Sequence, residues 1–375
     1  MSDIERDPET LEFEDLPDDS IQDGEEIPKE VRKLRTQAYD KAVSDLVDMI
    51  RSQDLVLDPD YQRNYIWDNK RASLLVESVL LNVPIPVIYV AEDDDGKWVI
   101  VDGLQRLNSL RRYFDNEYKL RNLEILDDLN KTQFSNLNPK ARRLLKNGIL
   151  RVIVIKAESH PEIKYDIFQR LNRGAVSLNE QELRNCMYRG EFCNLLKELR
   201  EYPPFLKAIG IEKPHKRYYD TELILRFLAL QSSYSPSEGK VTAYPNKMKT
   251  FLNRFMLKHQ HAEADTLRHF SSTFRDTIDK VVAIIPPPSF RRFKPEDGTI
   301  DTRLNRALMD AIMVAFANHD ANFLSNKKSE VTALYRNLPM EASGFNDALI
   351  YGTSDTKKLE LRLNTWHAAL GELKD

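Results

Sequence analysis

The sequence predicts an α+β chain, with an α/β core over residues 36–160 followed by a mostly helical domain over residues 161–375. Three observations predict it. Short apolar runs, of which residues 150–155 (LRVIVI) are the clearest, alternate with segments of helical periodicity up to residue 160. Beyond that point the strand signal fades and apolar residues recur at helical spacing. Residues 1–30 carry 13 acidic side chains against Arg6 and Lys29, a balance of −11, and few aromatic residues, which predicts an acidic, disordered tail.

In chain order, residues 31–51 place Ala38, Ala42, Leu46 and Ile50 at helical spacing. Residues 55–57 read as a short strand stopped by Asp58-Pro59. Asp68 is suited to cap a helix over 70–81, whose face Leu74, Val76, Val79 and Leu80 turns inward. Pro84 and Pro86 bracket the entry to a strand over 87–90. Asp93-Asp94-Asp95-Gly96 is a hairpin-type turn into a second strand, 98–101. A helix with Leu107, Leu110 and Phe114 on one face follows, then a loop and helix over 122–147 anchored by Leu126, Leu129, Phe134 and Leu137. Helical patterns cover 161–171, 179–200, 220–231, 247–257, 262–285 and 304–317. Ser177 or Asn179 caps the second of these, with Glu180 and Glu182 in its first turn, and Pro286-Pro287-Pro288 ends the fifth.

Composition excludes several classes. A chain of 375 residues buries a core in one large domain or two ordinary ones. No apolar run approaches the roughly 18 residues needed to span a bilayer. The acidic start has neither the basic residues nor the apolar stretch of a secretory signal. Cys186 and Cys193, seven apart in a helical pattern, would lie about 10 Å apart on one helix face, beyond disulfide reach. No cysteine–histidine set has zinc spacing. A reducing, cytoplasmic location is expected. The whole chain is −4, so the difference from the −11 tail leaves +7 on residues 31–375. That charge permits nucleic-acid contact without arguing for it.

The most informative segment is the junction Asp102-Gly103-Leu104-Gln105-Arg106, where an apolar strand runs through an acidic-glycine turn into a helix. Helix N-termini present unpaired N–H groups and partial positive charge, so the junction suits an anion. Gly103 lets the backbone approach a ligand, and Arg106 offers a fork of donors shaped for phosphate. Asp102 is able to cap the helix, hold a metal or orient a water. An ordinary strand–helix turn capped by aspartate fits the same residues, and both readings stand at this level.

The chain resembles the family of GmrSD-type restriction endonuclease N-terminal domains, within the ParB/sulfiredoxin-like superfamily. The motifs that carry the resemblance are Pro59-Asp60-Tyr61-Gln62-Arg63 with Trp67, residues 75–86 (LVESVLLNVPIP), and the 102–106 junction. Residues 168–174 (FQRLNRG) follow, with Leu178 and Glu182-Leu183-Arg184-Asn185, then 220–227 (DTELILRF) and Phe251-Leu252-Asn253. Together they span about residues 40–260. The resemblance implies a compact ParB-like core whose aspartate–glycine turn serves nucleoside-triphosphate hydrolysis in bacterial defence against phage or modified DNA. Asp102, Gly103, Gln105 and Arg106 match that motif, while Leu104 stands where many relatives have glutamine and cannot hydrogen-bond a ligand.

On this reading Asp102, Gln105 and Arg106 are the catalytic candidates. Gln62, Arg63, Gly103 and Arg106 bind nucleotide, and Asp102 holds magnesium with the triphosphate. Glu77, Arg170, Asn172, Glu182, Arg184 and Asn185 form a supporting polar group that either lines the pocket or fixes helix to core. Arg63 either neutralises phosphate beside Arg106 or pairs with a carboxylate such as Glu77. Tyr65 and Trp67 either stack on a base or pack in the core. Full restriction enzymes of this type add a nuclease module with clustered histidines. None of the seven histidines here forms a convincing His-Asn-His arrangement, and His259 and His261 are expected to be exposed. A stand-alone NTPase module acting with DNA or a separate nuclease is therefore the expectation. The alternatives are a non-enzymatic DNA-binding protein, whose affinity would fall steeply with salt, and a ParB-like metal-dependent nuclease using Asp102.

Overall fold

The computed structural model describes residues 34–57, 67–93, 95–171, 178–342 and 344–373. The acidic segment 1–30, the motif residues Gln62, Arg63 and Tyr65, and Asn172 lie outside the described residues. The described residues divide into two compact units, one up to residue 178 and one from residue 179 onward. Residues 161–171, which the sequence reading placed with the C-terminal half, belong to the first unit.

The first unit is built on a five-stranded mixed sheet of β1 (Thr36–Ala42), β2 (Leu55–Val56), β3 (Ile88–Glu92), β4 (Trp98–Asp102) and β5 (Ile149–Ile155), in the order β1-β5-β3-β4-β2. β5 alternates buried Leu150, Val152 and Val154 with outward-facing Arg151, the period-two pattern of a strand with one covered face. Helices α1 (Val43–Arg51), α2 (Asn69–Leu80), α3 (Leu104–Phe114) and α4 (Pro139–Asn147) supply the rest of that core, with Leu46, Val76, Leu107, Leu110, Phe114 and Leu145 all buried. Helix α5 (Pro161–Leu171) packs against β4, where Trp98 to Val101 are buried in succession. An unbroken apolar run is what a strand covered on both faces requires.

Two expectations change here. Residues 36–42 form an edge strand rather than the first turns of a helix, pairing antiparallel with β5 from Thr36↔Ile155 to Ala42↔Ile149. Its side chains are largely exposed, so the ladder to β5 and not a buried face holds it, and such a strand leaves no hydrophobic period to read. In α2 the buried apolar positions are Ala72, Leu75, Val76 and Val79, with Leu74 and Leu80 only partly covered. The Asp68 cap is present and accepts from the Arg71 N–H at 2.8 Å.

The second unit is helical: α6 (Glu180–Met187), α7 (Glu191–Leu199), α8 (Pro203–Ile209), α9 (Tyr219–Ser233), α10 (Met248–His259), α11 (Ala264–Ile284), α12 (Arg306–Ala317), α13 (Ala321–Asn326), α14 (Lys328–Glu341), α15 (Phe345–Ile350) and α16 (Thr356–Glu372). Ten of the fifteen residues of α9 and ten of the twelve of α12 are buried, the signature of helices surrounded by others. Two short hairpins, β6–β7 (Tyr234–Ser235, Lys240–Val241) and β8–β9 (Arg291–Phe293, Ile300–Leu304), interrupt the helices.

The single helix expected over 179–200 is two. Gly190 sits at φ 149°, and a Cβ there would meet the Gln260 carbonyl oxygen at 2.3 Å, so the chain turns where only glycine fits. Cys186 and Cys193 are therefore on separate helices. Both are buried and unbridged, and the Cys186 thiol donates to the Glu182 carbonyl at 2.9 Å.

Candidate functional site

The 102–106 junction is shaped by an irregularity in the sheet. β3 and β4 pair Val90↔Ile100 and Tyr89↔Asp102, leaving Val101 as an extra residue in β4. A bulge of this kind bends a strand and re-aims its last side chain, here Asp102. Gly103 then takes φ 103°, ψ 9°, and a Cβ there would meet Ile88 side-chain carbons at 3.0 and 3.3 Å. Glycine is demanded both by the left-handed backbone and by the closeness of β3. Helix α3 starts at Leu104, and its first internal bond runs from the Leu107 N–H to the Gly103 carbonyl at 2.9 Å. The N–H groups of Leu104, Gln105 and Arg106 precede that bond and have no intrahelical acceptor.

Asp102 does not cap this helix. Its Oδ2 accepts from Arg106 Nη2 at 2.6 Å, and the N-cap residue is Gly103, which has no side chain to serve. The aspartate-capped turn is thus not the arrangement found. Arg106 is not an open fork either. Its Nη1 donates to the carbonyls of Pro86 and, at 3.3 Å, Val87, while Nη2 holds Asp102. The arginine side chain is 12% exposed and the aspartate 41%, so the carboxylate is the partner that faces solvent. Arg106 splints the entry of β3 to the end of β4. Gln105 is tied as well, since its Oε1 accepts from the Trp67 N–H at 3.3 Å, and the Trp67 ring packs against the core.

The remaining candidates separate. Glu77 is buried in α2 and accepts from the N–H groups of Glu124, Ile125 and Leu126 at 3.1, 2.8 and 2.8 Å. Burial opposes its ionisation, yet the three backbone donors hold its carboxyl below the usual value. It staples a loop to α2. Arg170 is exposed near the end of α5.

Glu182, Arg184 and Asn185 lie on α6 in the second unit, where they fix helices to one another. Arg184 is fully buried and donates to Asn253 at 2.9 Å, Gln181 and Glu222 at 3.1 Å each, and Glu180 at 2.8 Å. Glu182 closes a capping box with Asn179 and pairs with Arg217 at 3.0 Å, and Asn185 accepts from Gln181 at 3.0 Å. The contacts of Glu182, Arg184 and Asn185 are those of a buried network within the second unit.

Among the described residues, the structure brings Asp102, Gly103, Gln105 and Arg106 together with Trp67, Pro86, Val87 and Ile88. Of the last three, Pro86 closes the quoted 75–86 motif, while Val87 and Ile88, expected only as the start of a strand, are participants the sequence reading missed. Their only sequence signal was the Pro84–Pro86 pair, which confines the backbone beside the turn. A magnesium ion needs only one or two carboxylates when substrate phosphates complete its coordination, and the exposed Asp102 carboxylate fits that demand. No group of three or more His, Cys, Asp or Glu side chains able to hold a metal occurs among the described residues. His261 is exposed beside Glu191 at 3.2 Å, as expected. His259 is only half-buried, with its ring centre 4.5 Å from that of Phe255 and 5.1 Å from that of Phe270. No helix among the described residues is long and apolar enough to cross a membrane.

Residues 43–189 match the family model described as the GmrSD restriction endonuclease, N-terminal domain. Neither a curated protein nor a solved structure matches the chain.

Proposed function

We propose, on the premise that residues 43–189 belong to the family of GmrSD restriction endonuclease N-terminal domains, that this chain binds and hydrolyses a nucleoside triphosphate in support of DNA restriction and phage defence. It acts with DNA or a separate nuclease partner. One observation supports the nucleotide site above all: the Asp102 carboxylate, 41% exposed, stands at the start of α3 with Arg106 holding it at 2.6 Å.

The N–H groups of Leu104, Gln105 and Arg106 meet phosphate charge, with Gly103 supplying the turn that starts the helix there. Asp102 holds magnesium or orients the attacking water, and Gln105 positions water or phosphate. Magnesium bound there supplies further neutralisation of the phosphate. Arg106 enters mainly by fixing Asp102 and the β3 edge, and its Nη2 is the part a phosphate would share. Gln62 and Arg63 are assigned to phosphate by the family resemblance alone. A metal-dependent nuclease is less well supported, because a two-metal centre needs several converging ligands and none converge among the described residues.

The test is thermal stabilisation against a panel of nucleotides with magnesium, followed by phosphate release. A ligand at about 100 times its Kd adds about 2.7 kcal/mol to the native state and raises Tm by several degrees. Asp102→Ala should abolish phosphate release and weaken the magnesium-dependent part of the shift. A panel in which no nucleotide moves Tm, with DNA binding that weakens steeply as salt rises, would replace this reading with the DNA-binding one.

A further inference from the structure

In the second unit, residues 211–218 lead from α8 to α9, and the bonds that hold this turn converge on His215. Asp220, fully buried in the first turn of α9, accepts from the His215 N–H at 2.7 Å and from Arg200 Nε at 3.2 Å. Arg200 also donates to the His215 carbonyl. The Arg217 N–H donates to His215 Nδ1 at 3.1 Å. From there Arg217 reaches the start of α6. Its carbonyl accepts from Asn179 Nδ2 at 2.7 Å, and its guanidinium pairs with Glu182 at 3.0 Å.

The bond to Nδ1 fixes the state of the ring. A backbone N–H can only donate, so Nδ1 offers its lone pair and the imidazole is neutral. A second proton would set two hydrogens against each other and place a cation beside Arg200 and Arg217, opposed only by Asp220 and Glu182. The Tyr219 ring of α9 lies against the imidazole, 4.9 Å between centres. The turn is also strained. Tyr218 sits at φ 59°, ψ 22°, a left-handed conformation costly for a bulky side chain, with the Arg200 guanidinium 4.3 Å over its ring.

We infer that His215 is a proton-operated latch that closes the 216–218 segment on the starts of α6 and α9 when neutral and releases it when protonated. Asp220 and Arg200 hold the His215 backbone in both states, so the part that moves is 216–218, and with it the Arg217 contacts to Asn179 and Glu182. The strain at Tyr218 favours opening once the Nδ1 bond is lost. Burial already holds the imidazole below its ordinary value, which keeps the latch shut at neutral pH.

Residue-resolved amide exchange on the full chain, without ligand, tests this. Exchange is corrected for pH with an unstructured peptide of the same sequence. The Arg217 and Tyr218 amides should lose protection as pH falls from 7.5 to 5.5, while the His215 amide and those of α8 should not. One proton drives the change, so the loss is several-fold and at most about tenfold per pH unit. His215→Asn puts an acceptor oxygen where Nδ1 stands and does not titrate, so its turn should stay protected at both pH values. His215→Gln, whose amide reaches the Nε2 position instead, should be unprotected at both. Wild-type protection indifferent to pH, a loss spread equally over α8, or His215→Asn opening as the wild type does would overturn the inference.

Discussion

Arg106 carries the residue-scale argument because it has two possible roles that differ in what they do to the empty protein. As a splint it contributes to stability before any ligand arrives, through two backbone carbonyls and the Asp102 carboxylate. As a pure phosphate ligand it would leave the free protein unchanged. Lysine keeps the charge but cannot present a fork, so Arg106→Lys separates the two. Losing charge-assisted bonds to a largely covered group should cost about 2 kcal/mol, or several degrees of Tm, in the absence of nucleotide. An unchanged Tm for the empty variant, combined with a lost nucleotide-dependent shift, would assign Arg106 to the ligand alone. The motif letters were legible in the sequence, and so was the need for glycine at 103. What Arg106 donates to was not, because its acceptors are main-chain carbonyls 19 and 20 residues away, and every sequence supplies those.

At the scale of elements, helices and strands with a buried face were readable and those held by backbone or single side chains were not. α3, β5 and α5 appear where their apolar periods place them, since burial wrote the period. β1 was missed because its exposed side chains carry no such record, and the α6–α7 corner because Gly190 is constrained by a carbonyl from residue 260. Glu77 belongs to the same class. The sequence offers it as a supporting residue of the site or a partner for Arg63, yet here it holds the 124–126 loop by three N–H donors. Glu77→Gln removes the charge and turns one acceptor into a donor facing an N–H group, so thermal stability should fall by about 2 kcal/mol at neutral pH. The pH dependence has a definite sign. With its folded pKa below the ordinary value, Glu77 contributes fully above the carboxylate range, and that contribution is lost as pH falls through the folded pKa. Wild-type and Glu77→Gln melting curves should therefore converge on acidification, and a constant gap between pH 7 and pH 3 would contradict the assignment.

The whole molecule adds pairings of charge that neither motif nor period reveals. The second unit buries Arg226 and Arg362 on the shared carboxylate of Asp310, at 2.5 and 3.2 Å, beside the Arg184–Glu222 pair. These charges are compensated within the core and say little about ligands. Histidines in the same unit are a different matter, because they titrate near neutrality. Burial pushes the His215 imidazole down, with Asp220 opposing and Arg200 and Arg217 adding to the effect; its Nδ1 accepts from the Arg217 N–H at 3.1 Å, which a proton would prevent. Burial among phenylalanines likewise lowers His259, assisted by Lys258. Both groups have folded pKa values below the unfolded one, so the unfolded chain takes up protons first and stability falls as pH drops below about 6.5. Each contributes at most about 1.4 kcal/mol per pH unit across the interval between its unfolded and folded pKa. Melting temperatures measured from pH 7.5 to 5.5, above the carboxylate range, should decline for the wild type. His259→Phe retains an aromatic ring against Phe255 and Phe270 while removing one titrating group, so its decline should be shallower. Parallel slopes for the two proteins would show that His259 is protonated as readily in the folded unit as in the unfolded chain, and that the pH response lies elsewhere.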